Sequence, residues 1–446
     1  ALSSQPLPRP PLAPRPSPMA AIDTLGLGCV DCSCNFRPFH FKRRAVGEHD
    51  IHIEMKYCGV CHSDLHFARG DMTPYLGPPA FPMVPGHELA GIVAAVGSKV
   101  TKFKVGDPVG VGCFVDSCKE CTQCKAGDEQ YCEKGPTLTY GAPANAHGRS
   151  ANAPGHEKDP TFGGYCSQMV VHEDYAIKVP KGYPLEMAGP LMCSAITMYD
   201  PLRRLKAGKG TRVGIIGLGG LGGIGAKIAK ALGCHVAVVS RSDKKRALAL
   251  SMGADAYVAS EDPAQMAAAA KSFDVLMNTI AANHDISPYL SLLATGGTLV
   301  AIGLATEPWS VPAVPLLFSR TGIQGSLIGG IRATQEVVDL CAKEGIFPEV
   351  RVVPCTELNQ VFERLDESNA LGVRYVLDLG NTLTEAHFPK LQEVDPPVLS
   401  TPGQRATAGE LAKTLTTLAQ PVAFFAFGVV LGVMIMQGAA SARAGF

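Results

Sequence analysis

Short apolar runs separated by glycine turns fill the chain from about Met19 to Gly189. His52-Ile53-Glu54-Met55 alternates with period two, and Gly91–Val96 is a compact apolar run; both patterns predict strands. Val105-Gly106-Asp107-Pro108-Val109 predicts a turn leading into another strand. From about Ala195 the pattern changes. The runs 212–217, 235–240, 274–278 and 298–303 are predicted strands, and Ala-rich helical stretches separate them. Strands alternating with helices predict a doubly wound parallel sheet. Residues from about 333 onward are expected to return to the first domain.

The two ends depart from both patterns. Residues 1–18 carry seven prolines, two arginines and no acid, so they cannot build a core and are expected to be extended. They read either as the remnant of an organelle transit peptide or as a Pro-rich arm. Residues 382–413 read as a linker. Residues 414–442 contain no charged side chain, and Val422–Met436 is apolar throughout. As a helix, Ala419–Ala440 would rise about 33 Å, enough to cross a hydrocarbon core of about 30 Å. Its apolar character on all sides argues against an amphipathic surface helix. The competing reading is a buried helix at a subunit interface. Gly428 and Gly432 form a G-x-x-x-G pair suited to close packing of helices in a bilayer. The segment is therefore expected to be a single C-terminal transmembrane helix.

Composition narrows the classes further. The 446 residues carry 40 basic and 40 acidic side chains, so no overall positive field points to nucleic acid. Fifteen cysteines in a small secreted chain would suggest disulfides. Here at least six sit at metal-ligand spacings in a long chain, which favours a reducing compartment.

Cys118, Cys121, Cys124 and Cys132 form C-x2-C-x2-C-x7-C, the pattern of a closed, structural zinc site. Cys61, His87, Glu88 and Cys193 form a second candidate set with three firm ligands and an open position. An open site can bind and polarise a substrate oxygen. Gly217, Gly219 and Gly222, with Gly220 and Leu221 between them, follow the strand VGII and open a predicted helix over 221–232. That placement fits the pyrophosphate of a dinucleotide at a helix N-terminus. After the next strand the chain reads Ser240-Arg241-Ser242, followed by Lys244-Lys245. Hydroxyls and cations there suit a ribose 2′-phosphate, so NADP(H) is the expected cofactor.

The runs YCGVCHSDLH (57–66), VPGHELAGIV (84–93), VGDPVGVG (105–112), CKECTQCKAGDEQYC (118–132), GGYCSQMVV (163–171), GPLMCSAITMYDPL (189–202) and GLGGLG (217–222) occur in fixed order. Together they resemble a zinc-dependent medium-chain dehydrogenase, in the branch of the cinnamyl alcohol dehydrogenases. The resemblance spans about Met19 to Asp378. It implies an α/β chain with a GroES-like, mostly-β catalytic domain over 19–194 and 333–381. A Rossmann domain would occupy 195–332, and two Zn2+ ions and NADP(H) would be bound. It makes Cys61, not Cys58, the first ligand of the catalytic zinc. His87 and Cys193 would complete the firm ligands, with Glu88 as an exchangeable fourth. Asp64 would orient His87, and Ser63 and His66 would relay a proton. His62 would contact the cofactor pyrophosphate, and Lys245 would join Ser240, Arg241 and Ser242 at its 2′-phosphate. Homodimers are usual in such a family.

The activity so implied is reversible reduction of an aldehyde to a primary alcohol by NADPH, with Phe114 and Trp309 as expected pocket walls. Ser194-Ala195, after Cys193, departs from the family pattern, as does the long loop 142–161. Cys29, Cys32 and Cys34 match no family site and read as incidental. The tail suggests membrane tethering, with membrane-complex subunits packing on Gly428 and Gly432. From another function class comes the alternative of an accessory or scaffold subunit of a photosynthetic or respiratory membrane complex. A stroma-facing thylakoid membrane is the favoured location, ahead of the mitochondrial inner membrane and a cytosolic face.

Overall fold

The computed structural model describes residues 20–143, 146–147, 152, 159–305, 307–367, 372–384 and 386. The arm 1–18, most of the loop 142–161, most of the linker 382–413, and the segment 414–442 with Gly428 and Gly432 lie outside the described residues. Among the described residues, no helix is long and apolar enough to cross a membrane.

Two sheets organise the described chain. The larger has the strand order Val350–Pro354, Arg374–Asp378, Asp50–Val60, Leu89–Val96, Pro108–Val111, Ala176–Lys178, and Gln168–His172 pairs with Asp50–Val60 off this path. Its pairs are antiparallel except the first, whose strands are joined through the helix Leu358–Glu367. The second sheet is six-stranded, and all its pairs are parallel. Its order is Ala256–Ala259, His235–Ser240, Arg212–Ile216, Phe273–Asn278, Leu293–Ala301, Gly322–Gly325. The strand first in sequence therefore lies beside both the second and the fourth, and this reversal of order creates the crevice in which such sheets bind nucleotides.

The sequence pattern explains the two kinds of sheet. Strands Arg212–Ile216 and His235–Ser240 are nearly continuous apolar runs, as burial on both faces requires. Asp50–Val60 mixes buried apolar residues with polar side chains such as Glu54 and Lys56, because one face meets solvent. One apolar cluster fills the catalytic lobe. A second runs from Ala90 and Met192 into the cofactor sheet. Ile328 and Ile331 pack against both clusters, so the chain near them ties the two lobes together.

The junctions between lobes are more continuous than the sequence pattern suggests. Leu191–Ala195 is a π-helical turn running directly into the helix Ile196–Arg204, so position 194/195 falls inside one helical stretch. The wider π turn sets the angle from which Cys193 leaves the helix. The returning helix is Ile331–Glu344, capped by Gly330, and so begins two residues before 333.

Gly91, opposite Met55 in the catalytic sheet, shows how closely these paired strands approach. A Cβ there would stand 2.4 Å from the Glu54 carbonyl oxygen and 2.6 Å from Ile53 Cγ2. Backbone cannot yield as a side-chain tip can, so Gly91→Val is expected to destabilise the fold by about 1–3 kcal/mol. Thermal unfolding checks this, and an unchanged midpoint would contradict the tight approach.

Candidate active site

Cys61 caps the helix His62–Arg69 where strand Asp50–Val60 ends, His87 and Glu88 lead into strand Leu89–Val96, and Cys193 comes from the π turn. These distant segments converge. The four residues are buried, and their ligand atoms lie within 4.8 Å of one another. His87 Nε2 is 3.3 Å from Cys193 Sγ. A tetrahedral zinc with bonds of about 2.0–2.3 Å needs ligand atoms at such separations, so this set fits the ion.

Asp64 orients the imidazole. His87 Nδ1 bonds Asp64 Oδ1 at 2.8 Å, which turns Nε2 toward the thiols. Burial is the largest single influence on His87 and opposes its charge, but Asp64, Cys113 and Cys61 together outweigh it, and the imidazole pKa rises well above its usual value. Asp64 itself is fully buried and accepts three further bonds, from Cys61 N, Gly86 N and the Tyr165 hydroxyl at 3.1, 3.2 and 2.7 Å. Tyr140 lies against the His87 ring, with centroids 6.0 Å apart.

The two thiols of the set differ. A hydrogen bond from Cys193 holds the Cys61 thiol well below its usual pKa, with Arg374 and His87 assisting against burial. The Cys193 thiol is pushed up by its contact with Cys113, then by Cys61 and by burial. Glu88 is pushed up to about 8 by burial, against the pull of Arg374, whose Nη2 stands 3.3 Å from Glu88 Oε1. Gly59 makes room for this carboxylate; a Cβ there would come within 1.9 Å of Glu88 Oε2.

Ser63 and His66 lie three residues apart on the helix beside Cys61, hence on one face of it. His66 Nδ1 bonds Asp71 Oδ2 at 2.7 Å, and its Nε2 is buried with no protein partner. His62 stacks on His66 with centroids 4.5 Å apart, and its Nε2 is likewise buried and unpaired. Burial lowers the His62 pKa, and His66 adds to this.

The glycine loop has the shape a dinucleotide requires. Gly217 has φ +96, and a Cβ on Gly222 would lie 2.1 Å from the Gly217 carbonyl oxygen. Over Gly219, by contrast, a Cβ would meet nothing within 4 Å. The loop therefore closes on itself at Gly222 and leaves open space at the start of helix Gly220–Ala231, where the helix dipole favours an anion. Leu221 is the second residue of that helix. The Arg374 guanidinium lies about 3.8 Å from where a Gly220 Cβ would be, and its Nε has no partner.

Ser240 ends the second strand of the cofactor sheet, and Arg241 and Ser242 follow it. The acid nearby, Asp243, is engaged by Arg246 at 2.6 Å. Lys245 differs from the expectation that it holds a phosphate. Its Nζ donates to the Leu218 carbonyl at 2.9 Å, because its half-buried stem directs it back toward the glycine loop.

The four-cysteine set is compact. Cys118, Cys121, Cys124 and Cys132 have sulfurs within 4.8 Å of one another, with Cys118 and Cys124 at 3.9 Å. Backbone N–H groups of Cys118, Cys121 and Cys124 donate to the sulfurs of Cys132, Cys118 and Cys121. The Cys124 bond, with one from Glu133, lowers the Cys121 thiol to about 6. Four sulfurs leave no open position, as a structural zinc requires.

The structure thus brings together the sequence-predicted metal residues, Asp64 and the glycine loop. Phe114 and Trp309 are not gathered there. Phe114 is core, edge-on to Tyr175, and Trp309 packs on the cofactor sheet beside His284. Large aromatic residues find burial more readily than they form pocket walls. Sequence reasoning missed Tyr140, Tyr165, Cys113 and Arg374. Of these only Tyr165 carried a signal, in the run GGYC.

Residues 47–181 match the alcohol dehydrogenase GroES-like domain family, and residues 220–343 match the zinc-binding dehydrogenase family. The chain is 47% identical over 337 residues to an NADP-dependent alcohol dehydrogenase C of Mycolicibacterium smegmatis, covering 75% of this chain and 92% of that one. It is 43% identical over 377 residues to 8-hydroxygeraniol dehydrogenase of Catharanthus roseus, covering 84% and 100%. Among solved structures, cinnamyl alcohol dehydrogenase from Sorghum bicolor superposes with TM-score 0.74 at 36% identity, over 81% of this chain and 99% of that one. A CAD from Helicobacter pylori complexed with NADP(H) gives 0.72 at 36% identity, over 81% and 100%.

The Asp64 contacts predict a separable effect on the two metal centres. Asp64→Asn should weaken metal binding at Cys61, His87 and Cys193 by about 10–100-fold while the four-cysteine centre keeps its ion. Zinc analysis after dialysis against a graded chelator should then show one ion lost per chain well before wild type loses it.

Proposed function

Because the chain belongs to the zinc-type medium-chain alcohol dehydrogenases, with cinnamyl alcohol dehydrogenases among its relatives, we propose that it is an NADP(H)-dependent alcohol dehydrogenase. Its working direction would be reduction of an aldehyde to a primary alcohol. The observation that carries this reading is the convergence of Cys61, His87, Glu88 and Cys193 in one buried cluster, on a chain that also holds an open glycine loop. A zinc ion on Cys61, His87 and Cys193 would supply a Lewis acid, and the nicotinamide nucleotide a hydride donor.

The protein's own groups do the rest. Asp64 holds the His87 ring in place. Ser63 gives its hydroxyl proton to the developing alcohol oxygen and is reprotonated from the His66 side, where Asp71 steadies Nδ1. The glycine loop and Arg374 bind the pyrophosphate. Ser240, Arg241 and Ser242 receive the 2′-phosphate, with His62 at the cofactor's edge. Burial of the cluster excludes water, which strengthens every charge interaction within it.

The proposal extends to location and assembly. Residues 414–442 would tether the enzyme to a membrane, with a stroma-facing plastid membrane the favoured site. The absence of charge over this stretch supports that reading. A homodimer fits the edge strand Gly322–Gly325, which is exposed along its length beside Leu317 and Phe318, themselves 76% and 88% exposed. The scaffold-subunit alternative draws on the tail alone, while the intact metal-ligand sets favour chemistry.

The test is NADPH oxidation by the full chain in detergent with cinnamaldehyde, benzaldehyde and a medium-chain aldehyde, with NADH as control. Turnover should prefer NADPH and fall to background in Cys61→Ala. Arg241→Glu should erode the preference for NADPH by on the order of tenfold or more, since a charge-assisted contact contributes about 1.5–3 kcal/mol. Equal rates with NADH in wild type would overturn the cofactor assignment, and no turnover with zinc bound would overturn the enzyme reading.

A further inference from the structure

The chain between the third and fourth cysteines of the closed set grips another part of the molecule. Helix Thr122–Ala126 ends at Gly127 in the left-handed region, and Glu129–Tyr131 forms a further tight turn. From this projection the Ala126 carbonyl accepts from Arg332 Nη2 at 2.8 Å. Glu129 Oε2 accepts from Ile331 N at 3.1 Å, and the Tyr131 hydroxyl accepts from Leu327 N at 2.9 Å. Asp128 pairs with Arg204.

All these contacts fall on the second chain crossing between the lobes or on the helix that follows Cys193. Leu327–Arg332 connects the last strand of the cofactor sheet to the helix Ile331–Glu344. It is squeezed from both sides. A Cβ on Gly330 would lie 1.8 Å from the Gly127 carbonyl oxygen, and one on Gly329 would lie 2.6 Å from Ile196 Cδ1 and 3.0 Å from Asp200 Cβ. Ile196 opens the helix continuous with the π turn that carries Cys193. Arg204, held by Asp128, also bonds Asp200 at 2.7 Å within that helix. Glu129 meanwhile places a carboxylate on the first free N–H of helix Ile331–Glu344, where negative charge is favoured.

We propose that the four-cysteine centre positions the catalytic ligand Cys193, acting through Glu129 and Tyr131 on the crossing Leu327–Arg332 and through it on helix Ile196–Arg204. Glu129 and Tyr131 are positioning residues: they bind no metal and touch no substrate. The two metal centres are thereby coupled, because the fold of the loop that presents Glu129 and Tyr131 depends on the sulfurs at its ends. This inference rests on reading both clusters as metal centres.

The variants Glu129→Ala and Tyr131→Phe leave every ligand in place. Three measurements on the full chain judge them: metal content, hydrogen exchange by peptide, and the absorption spectrum of protein carrying cobalt at the Cys61, His87 and Cys193 site with zinc kept at the four cysteines, whose thiolate bands report the geometry at Cys61 and Cys193. Both variants should keep two metals per chain, exchange faster over 327–332, and exchange about tenfold faster over 196–204. The cobalt bands should shift, and Glu129→Gln, whose side-chain oxygen can still accept from Ile331 N, should restore them.

Faster exchange confined to 327–332 with unchanged cobalt bands would overturn the proposal. So would loss of metal from the four cysteines, since the two residues would then serve the ligands instead of the crossing. None of these readouts requires turnover, so failure here is distinguishable from failure of the aldehyde-reductase reading.

Discussion

A carboxylate with no access to water holds the catalytic lobe in register. A fully buried carboxyl group is costly unless its oxygens are met by donors. Here they are met by Cys61 N, Gly86 N, His87 Nδ1 and the Tyr165 hydroxyl, which come from three separate stretches of chain. The same group that holds the His87 ring also fastens the segments 61–66, 86–87 and 163–166 to one another. Structural and chemical roles cannot be separated at this residue. Removing these contacts would loosen the three segments and the centre together.

A second buried pair extends this logic across the lobes. Arg374 lies between Glu88 and the start of helix Gly220–Ala231, and it donates to the Val60 carbonyl at 3.1 Å. One guanidinium thus restrains a carboxylate beside the metal residues and adds positive potential where a pyrophosphate would lie. Its strand, Arg374–Asp378, is nearly the last element of the described chain, yet it pairs with Asp50–Val60, which leads to Cys61. Return of the C-terminal part to the first lobe is what delivers this charge to the centre.

That long return explains which parts of the site were legible from sequence. Four cysteines within fifteen positions, or three glycines between a strand and a helix, announce themselves by local spacing, because their geometry is local. Cys61, His87 and Cys193 lie far apart, and they were assigned through the order of several motifs and not through spacing alone. Arg374, Tyr140 and Cys113 have no spacing to read; only tertiary structure puts them beside the centre. Lys245 shows the converse. Its position after the second strand was visible, but the direction of its amine toward Leu218 depends on packing. The doubly wound sheet was legible from apolar runs, whereas the π turn at Leu191–Ala195 was not, since a π turn differs from an α turn by a single extra residue.

The two cysteine clusters also differ in what they demand of the chain. Cys118 and Cys132 are 14 residues apart, whereas His87 and Cys193 are separated by 106. Closing the longer loop in an unfolded chain costs about 2 kcal/mol more, by the logarithmic dependence of loop entropy on length. The four-cysteine lobe can therefore organise around its ion with local chain alone, coupling metal binding directly to folding. The catalytic set draws on separate elements of the chain and so depends on tertiary structure to come together. A lobe that clasps Leu327–Arg332 is well placed to hold Cys193, because the crossing packs on the helix that begins beside that ligand. The closed centre is in this sense a condition for the geometry of the open one.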